Sequence, residues 1–482
     1  MTTYNHNPSI ELEFYTHNGQ HFLVRDTLVY QSNRTLDNPT ARASFMLKGL
    51  KFGDGADKDV RGKEVSRVLS LYDLCKVWMR DGRGKRWLEM IGLVSDDALS
   101  ISESSGSPDH SQRISLVGLG EALERYQIFW HPHIAGQNNL GGIGFLVRSG
   151  GSPPKGRPDE VLSQLYDAFL NDQYVFTLAD GRKLTQVIRK RFSTITDSLS
   201  VTGLAALGAE GALWATLKRY ADCPWNELFV DVEHETNNPV TQAAFGGIDT
   251  KTYGEGVGVY LRSTPFEQDR WRELTKPGSG WGFTYDDSDR IGGGEQLHRT
   301  TDGIYNFFWV PGKAVFSGFD QLSSAYNQTG GKLPIYDAYW IKRYGLRRFE
   351  QQTEYVEYLQ ALDAAQGTIS AANKTLMRAK VARMSDLLVL RTEQAQRWFG
   401  YDNFWSGTIT TRGRVGTDPA NGARVGGVLT RNRDGKQFYI TGISQNWQFP
   451  GPHTTTLTVS RGHDLKEYAS WVVEISTSSA RL

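Results

Sequence analysis

The sequence predicts a β-rich multidomain protein of the α+β class, with a strand-rich block near each end and helical and mixed α/β insertions between them. Three observations lead there. Glycine makes up 51 of the 482 residues, above the usual share of roughly 7%. With 13 Trp and 21 Tyr beside it, the composition suits short strands and many turns more than a compact helical enzyme. Apolar and polar residues alternate through the first 130 residues and again through the last 80, whereas the segments between run helical, mixed and helical. Length alone suggests about three domains. A content of 39% hydrophobic and 12% aromatic residues can fill several cores, which excludes a single small fold and a disordered chain.

In the first segment, 1–135, Ile10, Leu12 and Phe14 alternate with Glu11, Glu13 and Tyr15, the pattern of a half-buried strand. FLVRDTLVY (22–30) and ARASFMLKGL (41–50) continue in that style. VSRVLSLYDLCKVWMRDGRGKRWLEMIGLVSDD (65–97) carries the turn signal Asp81-Gly82-Arg83-Gly84 between apolar stretches, which predicts a hairpin. Ser102–Ser111 reads as a polar turn before the strand RISLVGLG and a short helical run, Glu121–Tyr126. Strands this short and close suit a sandwich or closed barrel.

Segment 136–224 opens with a Gly-, Pro- and Ser-rich linker, Gly136–Arg157, and continues as a helical insertion. In PDEVLSQLYDAFL, Val161, Leu165 and Phe169 stand four apart with Leu162 and Tyr166 beside them and Pro158 near the start, which predicts an amphipathic helix. Further helical runs are expected around 184–192 and 204–221. Segment 225–300 reads as a mixed α/β domain: strands ELFVDVEHE (227–235) and GVGVYLRSTPF (256–266), then a short helix at FEQDRWREL. Segment 301–352, with strand-like IYNFFWV (304–310), is expected to start a second barrel region. An antiparallel helical pair is expected to interrupt it at 353–400, where Met377, Val381, Met384, Leu388 and Arg391 are spaced four, three, four and three. Segment 401–482 completes that barrel and adds a C-terminal tail. Its strands are GTITTRGRV, VGGVLTR, KQFYITGIS, TTTLTVSRG and WVVEIS, parted by turn clusters such as DPANG (418–422) and RDGKQ (433–437).

The 54 Lys plus Arg and 53 Asp plus Glu leave a formal charge of +1, which argues against sequence-specific or bulk electrostatic binding of nucleic acid and leaves room for a local basic face. There is no 18-residue uncharged apolar run, so no membrane span is expected. MTTYNHNPSIELEF lacks the basic and apolar regions of a secretory signal. Cys75 and Cys223 can neither build a disulfide framework nor supply four zinc ligands, and synthesis in a reducing compartment is expected.

The search for chemistry is nearly empty. No GxxxxGK[ST] phosphate loop and no HExxH occur, Gly82-Arg83-Gly84-Lys85 is only superficially loop-like, and GISQN (442–446) fails the last position of a nucleophile elbow. His131-Pro132-His133 is the most metal-like cluster, yet no acidic or Cys ligand stands near it, and the two read better as histidines beside aromatics or at an interface. Asp286-Asp287-Ser288-Asp289 with Gly292-Gly293-Gly294 and Glu295 lacks the spacing of a calcium loop and reads as a solvated acidic turn. The basic run RKLTQVIRKR (182–191) is expected to be a helix with a solvated or salt-bridged face, not a phosphate site. Carboxylate pairs for glycoside hydrolysis cannot be singled out among 53 acids. No catalytic residue, cofactor-binding residue, cofactor or metal ligand is predicted.

Four groups of segments, in order along nearly the whole chain, together resemble the central baseplate hub proteins of contractile-tailed bacteriophages and related contractile injection systems. They are YDLCKVWMRDGRGKRWLEMIGLVSDDALS (72–100) with QRISLVGLGEALERYQIFWH (112–131); PWNELFVDV (224–232) with GVYLRSTPF (258–266) and Trp271; LHRTTDGIYNFFWVPG (297–312) with YWIKRYGLRRFE (339–350); and GGVLTRNRDGKQFYITGISQNWQFPGPHTTTLTVSRG (426–462). The resemblance implies two tail-tube-like antiparallel β-barrels per subunit and a homotrimer whose six barrels form a pseudo-sixfold ring. Such a hub joins the sixfold tail tube to the threefold spike in the virion tail baseplate, assembled in the bacterial host cytoplasm. Its implied partners are the tail tube protein, the spike protein and baseplate wedge proteins, and it is not an enzyme. Closed barrels leave no free sheet edges, abundant aromatics suit large interfaces, and near-zero net charge suits dense packing. Two alternatives stand beside it: a tail-associated hydrolase of cell-wall polysaccharide, and a glycan-binding tip protein.

Overall fold

The computed structural model describes residues 9–80, 85–104, 107–128, 156–170, 176–196, 198, 211–233, 255–299, 303–310, 333–351, 353, 371–401, 404–418 and 422–464. Within them the chain is β-rich, as its alternation predicts. The first strands are β1 (Ser9–Tyr15), β2 (His21–Val24), β3 (Thr27–Thr35), β4 (Arg42–Lys48), β5 (Leu74–Arg80), β6 (Arg86–Ser104) and β7 (Ser107–Gly118), with short helices α1 (Val65–Val68) and α2 (Glu121–Arg125). The strands pair antiparallel in the order β3-β4-β7-β6-β5-β1-β2.

Ile10, Leu12 and Phe14 of β1 enter a core with Phe22, Phe45 and Ile114. The opposite face of β1 is not in solvent, in contrast to the half-buried strand expected. Glu11 is 1% exposed and Glu13 8%. Glu11 accepts hydrogen bonds from Arg25, Arg80 and Arg86, and Glu13 from Trp78 Nε1 and the Tyr15 hydroxyl, both at 2.7 Å. Arginines and an indole from neighbouring positions roof the charged face, so its carboxylates are buried but partnered.

The hairpin expected within 65–97 is β5–β6, with Arg80 opposite Arg86. The polar run at 102–111 is a hairpin extension and not a turn: the β6–β7 ladder continues until Ser104 lies opposite Ser107. Backbone pairing across a hairpin overrides the weak strand preference of Ser and Asp.

The middle of the chain holds β8 (Gln127–Ile128), α3 (Pro158–Leu170), α4 (Leu184–Val187), β9 (Ile188–Phe192), β10 (Gly211–Ala212), α5 (Leu213–Tyr220), β11 (Asn226–Glu233), β12 (Gly256–Ser263) and α6 (Gln268–Thr275). Helix α3 is where its spacing puts it, with Pro158 first and Asp159 and Glu160 in the first turn, favourable beside the positive end of the helix dipole. Val161, Leu162, Leu165, Tyr166 and Phe169 are each at most 1% exposed and pack on Leu213, Leu217 and Ile188. The basic run 182–191 is not one helix. Leu184, Val187 and Ile188 have helical spacing, but only one turn forms before β9 pairs parallel with β12 across Val257–Leu261. That pairing satisfies the backbone and brings Arg191 onto Glu233 and Lys190 onto Asp167.

The remaining elements are β13 (Gly282–Tyr285), β14 (Arg290–His298), β15 (Phe307–Phe308), β16 (Ile335–Tyr336), α7 (Ala338–Tyr344), β17 (Arg348–Phe349), α8 (Ala371–Phe399), β18 (Trp405–Arg412), β19 (Val428–Arg431), β20 (Gln437–Gln448) and β21 (Thr454–His463). Strands from both sides of the 299–404 insertion form a second run, β14-β18-β21-β20, with β19 beside the start of β20 and β13 parallel to β19. Its core holds Phe283, Tyr285, Ile409, Leu429, Ile440 and Leu457. IYNFFWV is a strand only at Phe307–Phe308. The amides of Asn306 and Phe307 both donate to the Arg347 carbonyl, which anchors the piece in a three-stranded mini-sheet of β16, β15 and β17.

Of the predicted helical pair, α8 is described, and Met384, Leu388 and Arg391 lie on its buried side. Its expected partner at 354–370, the linker at 136–155 and WVVEIS lie outside the described residues. No helix among the described residues is long and apolar enough to cross a membrane.

Candidate functional site: a sheet seam and the arginines beneath it

Strand β20 joins the two strand-rich blocks. Its first residues, Gln437–Tyr439, pair with β19. Its remainder pairs antiparallel with β3 over seven positions, from Gly442 opposite Thr35 to Gln448 opposite Val29. Two edges that would each present unpaired amides and carbonyls are thereby closed against each other, and the result is a single 13-stranded sheet. The seam is packed as well as hydrogen-bonded. Trp447 of β20 lies opposite Tyr30 of β3, and both are buried in the first block's core.

The other side of the seam is a polar face. Thr410 of β18, Thr456 of β21, Ser444 of β20, Asn33 of β3 and Arg42 of β4 stand in one cross-strand row. The Thr410 and Thr456 hydroxyls are 3.1 Å apart, and Ser444 Oγ donates to Asn33 Oδ1 at 3.3 Å. A second row runs Arg412, Thr454, Asn446, Gln31, Ser44 and Ser115. The five strands β18, β21, β20, β3 and β4 contain no Asp or Glu. Both blocks thus contribute to one hydroxyl- and amide-rich surface that carries basic residues and, on these five strands, no carboxylate; the first acid along the second row is Asp96 of β6, opposite Ser115.

Behind the seam lies a set of buried ion pairs that ties the β11–β12 ladder to both blocks. Arg34 of β3 donates to Glu89 Oε1 at 3.0 Å and comes within 3.6 Å of Asp231. Arg424 donates to Asp231 Oδ2 at 3.0 Å and to the Tyr260 hydroxyl at 2.9 Å, and Tyr260 donates to Glu233 at 2.7 Å. Glu233 also takes Arg191 through two hydrogen bonds of 2.8 and 2.9 Å. Arg262 donates to Glu227 at 3.0 Å, to the Tyr439 hydroxyl at 3.1 Å and to the Gly426 carbonyl. The guanidiniums of Arg262 and Arg424 sit 4.7 and 4.4 Å from the Trp281 ring, where stacking and planar donors suit Arg in a way Lys could not match.

Burial pushes the Glu89 carboxyl up to about 7, against the pull of Arg34, whereas the Arg191 hydrogen bonds hold Glu233 below the ordinary carboxylate value despite its burial. Gly426 has φ +76°, and a Cβ there would fall 2.8 Å from Arg262 and 3.2 Å from Phe229. The carboxylates in this set are held by guanidiniums, which suits a structural joint more than acid–base chemistry, where a free partner must face a substrate.

The candidates picked out by sequence fare differently. His131 to His133 and the turn 81–84 lie outside the described residues, and Lys85 sits 4.0 Å over the Trp87 ring. The acidic run 286–289 is a solvated turn at Asp287 and Ser288, but it buries its last acid. Asp289 is 1% exposed and pairs with Arg414 at 2.9 Å, and Glu295 pairs with Arg431 and Arg433. Basic residues far along the chain bury Asp289 and Glu295, a contact that local spacing does not announce. GISQN lies within β20. No group of three or more His, Cys, Asp or Glu among the described residues is arranged to hold a metal. The seam face and the arginine joint carry no sequence motif; the absence of acids from five strands was the one signal available.

No family model matches the chain, and no curated protein matches it. Among solved structures, the chain is similar to the 43 kDa tail protein of prophage MuSo2 from Shewanella oneidensis, at 12% identity and a TM-score of 0.47 over 94% of this chain and 98% of that one. It is similar to a tail protein from Neisseria meningitidis MC58, at 10% identity and a TM-score of 0.48 over 94% and 96%. It is also similar to a component of the type VI secretion system of E. coli, at 8% identity and a TM-score of 0.37 over 91% and 74%. Likenesses at this level assign no residue a role.

Proposed function

We propose that the chain is a structural hub subunit of a contractile tail or a related injection apparatus. Three copies would close a ring that joins a sixfold tube to a threefold spike, and the protein would act by assembly and not by catalysis. The observation that carries this is the β3–β20 seam, which sets two strand-rich blocks side by side in every subunit. Three subunits built this way supply six blocks, the count needed to match a sixfold tube above while keeping threefold symmetry below. The carboxylate-free face across the seam is the inward side of the ring, because a lining of hydroxyls and amides, solvated and without sheet edges, borders an aqueous channel without sticking to what passes. Neighbouring partners are then the tube, spike and wedge proteins of the tail.

Sedimentation equilibrium of the purified full chain tests the assembly. Three times the 54.0 kDa chain mass is the expected result. A monomer at all concentrations, with or without tail tube protein, would reject it, and clearing of purified cell wall by that monomer would favour a hydrolase instead.

A further inference from the structure

Helix α7 and its flanks form a surface unlike the rest of the described chain. Helix α7 buries none of its residues, and Tyr339 and Leu346 are each 64% exposed. The aromatic rings are ordered: Tyr339 packs edge-on to Trp340 at 5.0 Å, and Trp340 stacks on Tyr344 at 5.2 Å with 13° between planes. Arg343 lies 5.5 and 5.3 Å from the Trp340 and Tyr344 ring centres, and Arg348 lies 5.6 Å from that of Trp309.

Lys342, Arg343 and Arg348 have no carboxylate partner among the described residues, whereas the buried arginines beneath the seam are paired. The helix's own acid, Asp337, is already engaged. It caps α7 by accepting from the Tyr339 and Trp340 amides at 2.9 and 3.1 Å. The surface is also firmly mounted. Asn306 donates to the Gly345 carbonyl and accepts from the Arg347 amide, at 2.7 and 2.8 Å, and Phe308, Ile335 and Phe349 anchor the mini-sheet in a core.

We infer that the α7 surface is a docking site for an acidic segment of a partner protein. Exposed Tyr and Leu supply the apolar centre, and the unpaired cations supply the attraction. Tyr, Trp and Arg are the residue types that dominate protein interfaces. A seven-residue helix with a small apolar centre presents a compact patch, not the long basic track that a nucleic-acid backbone requires. The charge surplus points to a carboxylate-rich partner in preference to a second copy of this nearly neutral chain. This inference does not depend on the ring.

Fluorescence anisotropy of the full chain with a labelled Glu-Leu repeat peptide, against labelled oligothymidylate, tests it. Saturable, salt-sensitive binding of the peptide is expected, weakened at least about tenfold by combining Lys342→Glu, Arg343→Glu and Arg348→Glu. Tyr339→Ala with Leu346→Ala should weaken it by about fivefold with the charges intact. Unfolding midpoints equal to that of the parent chain would show that the variants fold. No peptide binding, peptide binding unchanged in the charge-reversed variant, or tighter binding of oligothymidylate than of peptide would overturn the inference.

Discussion

Arg424 shows how much one residue can hold. It meets Asp231 and Tyr260 from a loop that precedes β19, and Asp231 in turn faces Arg34 of the first block. Arg424→Met keeps much of the volume but leaves Asp231 a buried charge held by the Val232 amide at 2.9 Å and the longer contact to Arg34. Removing one partner of such a pair costs about 3–5 kcal/mol, and urea unfolding should show a loss of that size. His453 makes a second prediction. It is 1% exposed, its Nε2 lies 2.8 Å from Gln445 Oε1, and burial brings its imidazole down to about 4 from the usual 6.5. The unfolded chain therefore binds a proton that the folded chain refuses between those values, so stability falls as pH drops from about 6.5 towards 4. The shift corresponds to about 3 kcal/mol for a fully buried group. His453→Gln, which keeps a side-chain donor, should reduce the pH dependence of the urea midpoint across that window, leaving the part due to His463, which burial also brings down to about 4; an unchanged slope would contradict the assignment.

Elements separate what could be read from what could not. Helix α3 was legible because its apolar residues recur at helical spacing and that stripe is what packs. Leu165→Ala should cost about 2–5 kcal/mol, since its site is fully buried among side chains from α5 and β9; a melting temperature within error of the parent would refute that. The basic run 182–191 was misread because Leu184, Val187 and Ile188 satisfy helical spacing, while the deciding partner, β12, begins at Gly256. The buried face of β1 and the burial of Asp289 escape local reading for the same reason: a carboxylate looks solvated until the arginine that covers it is placed. Arg424 and Asp231 are 193 residues apart, and Tyr439 and Glu227 are 212 apart. No local pattern carries such pairings, so the β-rich class was legible and the joint was not.

At the scale of the molecule, the seam makes two blocks into one sheet with one polar face, and a ring would turn that face inward. Asn33 and Thr456 stand on it, Asn33 exposed and Thr456 half-buried, without charged neighbours in their row other than Arg42. Asn33→Glu with Thr456→Glu should change monomer stability by no more than about 0.5 kcal/mol per site and leave the proposed trimer intact, because in the proposed ring the face borders a channel and not a subunit contact. Loss of the trimer in sedimentation would place the face at an interface instead. The central claim is met most directly by end-on electron-microscopic averages of the purified full chain. Rings of six lobes with threefold symmetry around an open centre are the expected image, and isolated single subunits, or closed particles without a central opening, would contradict it.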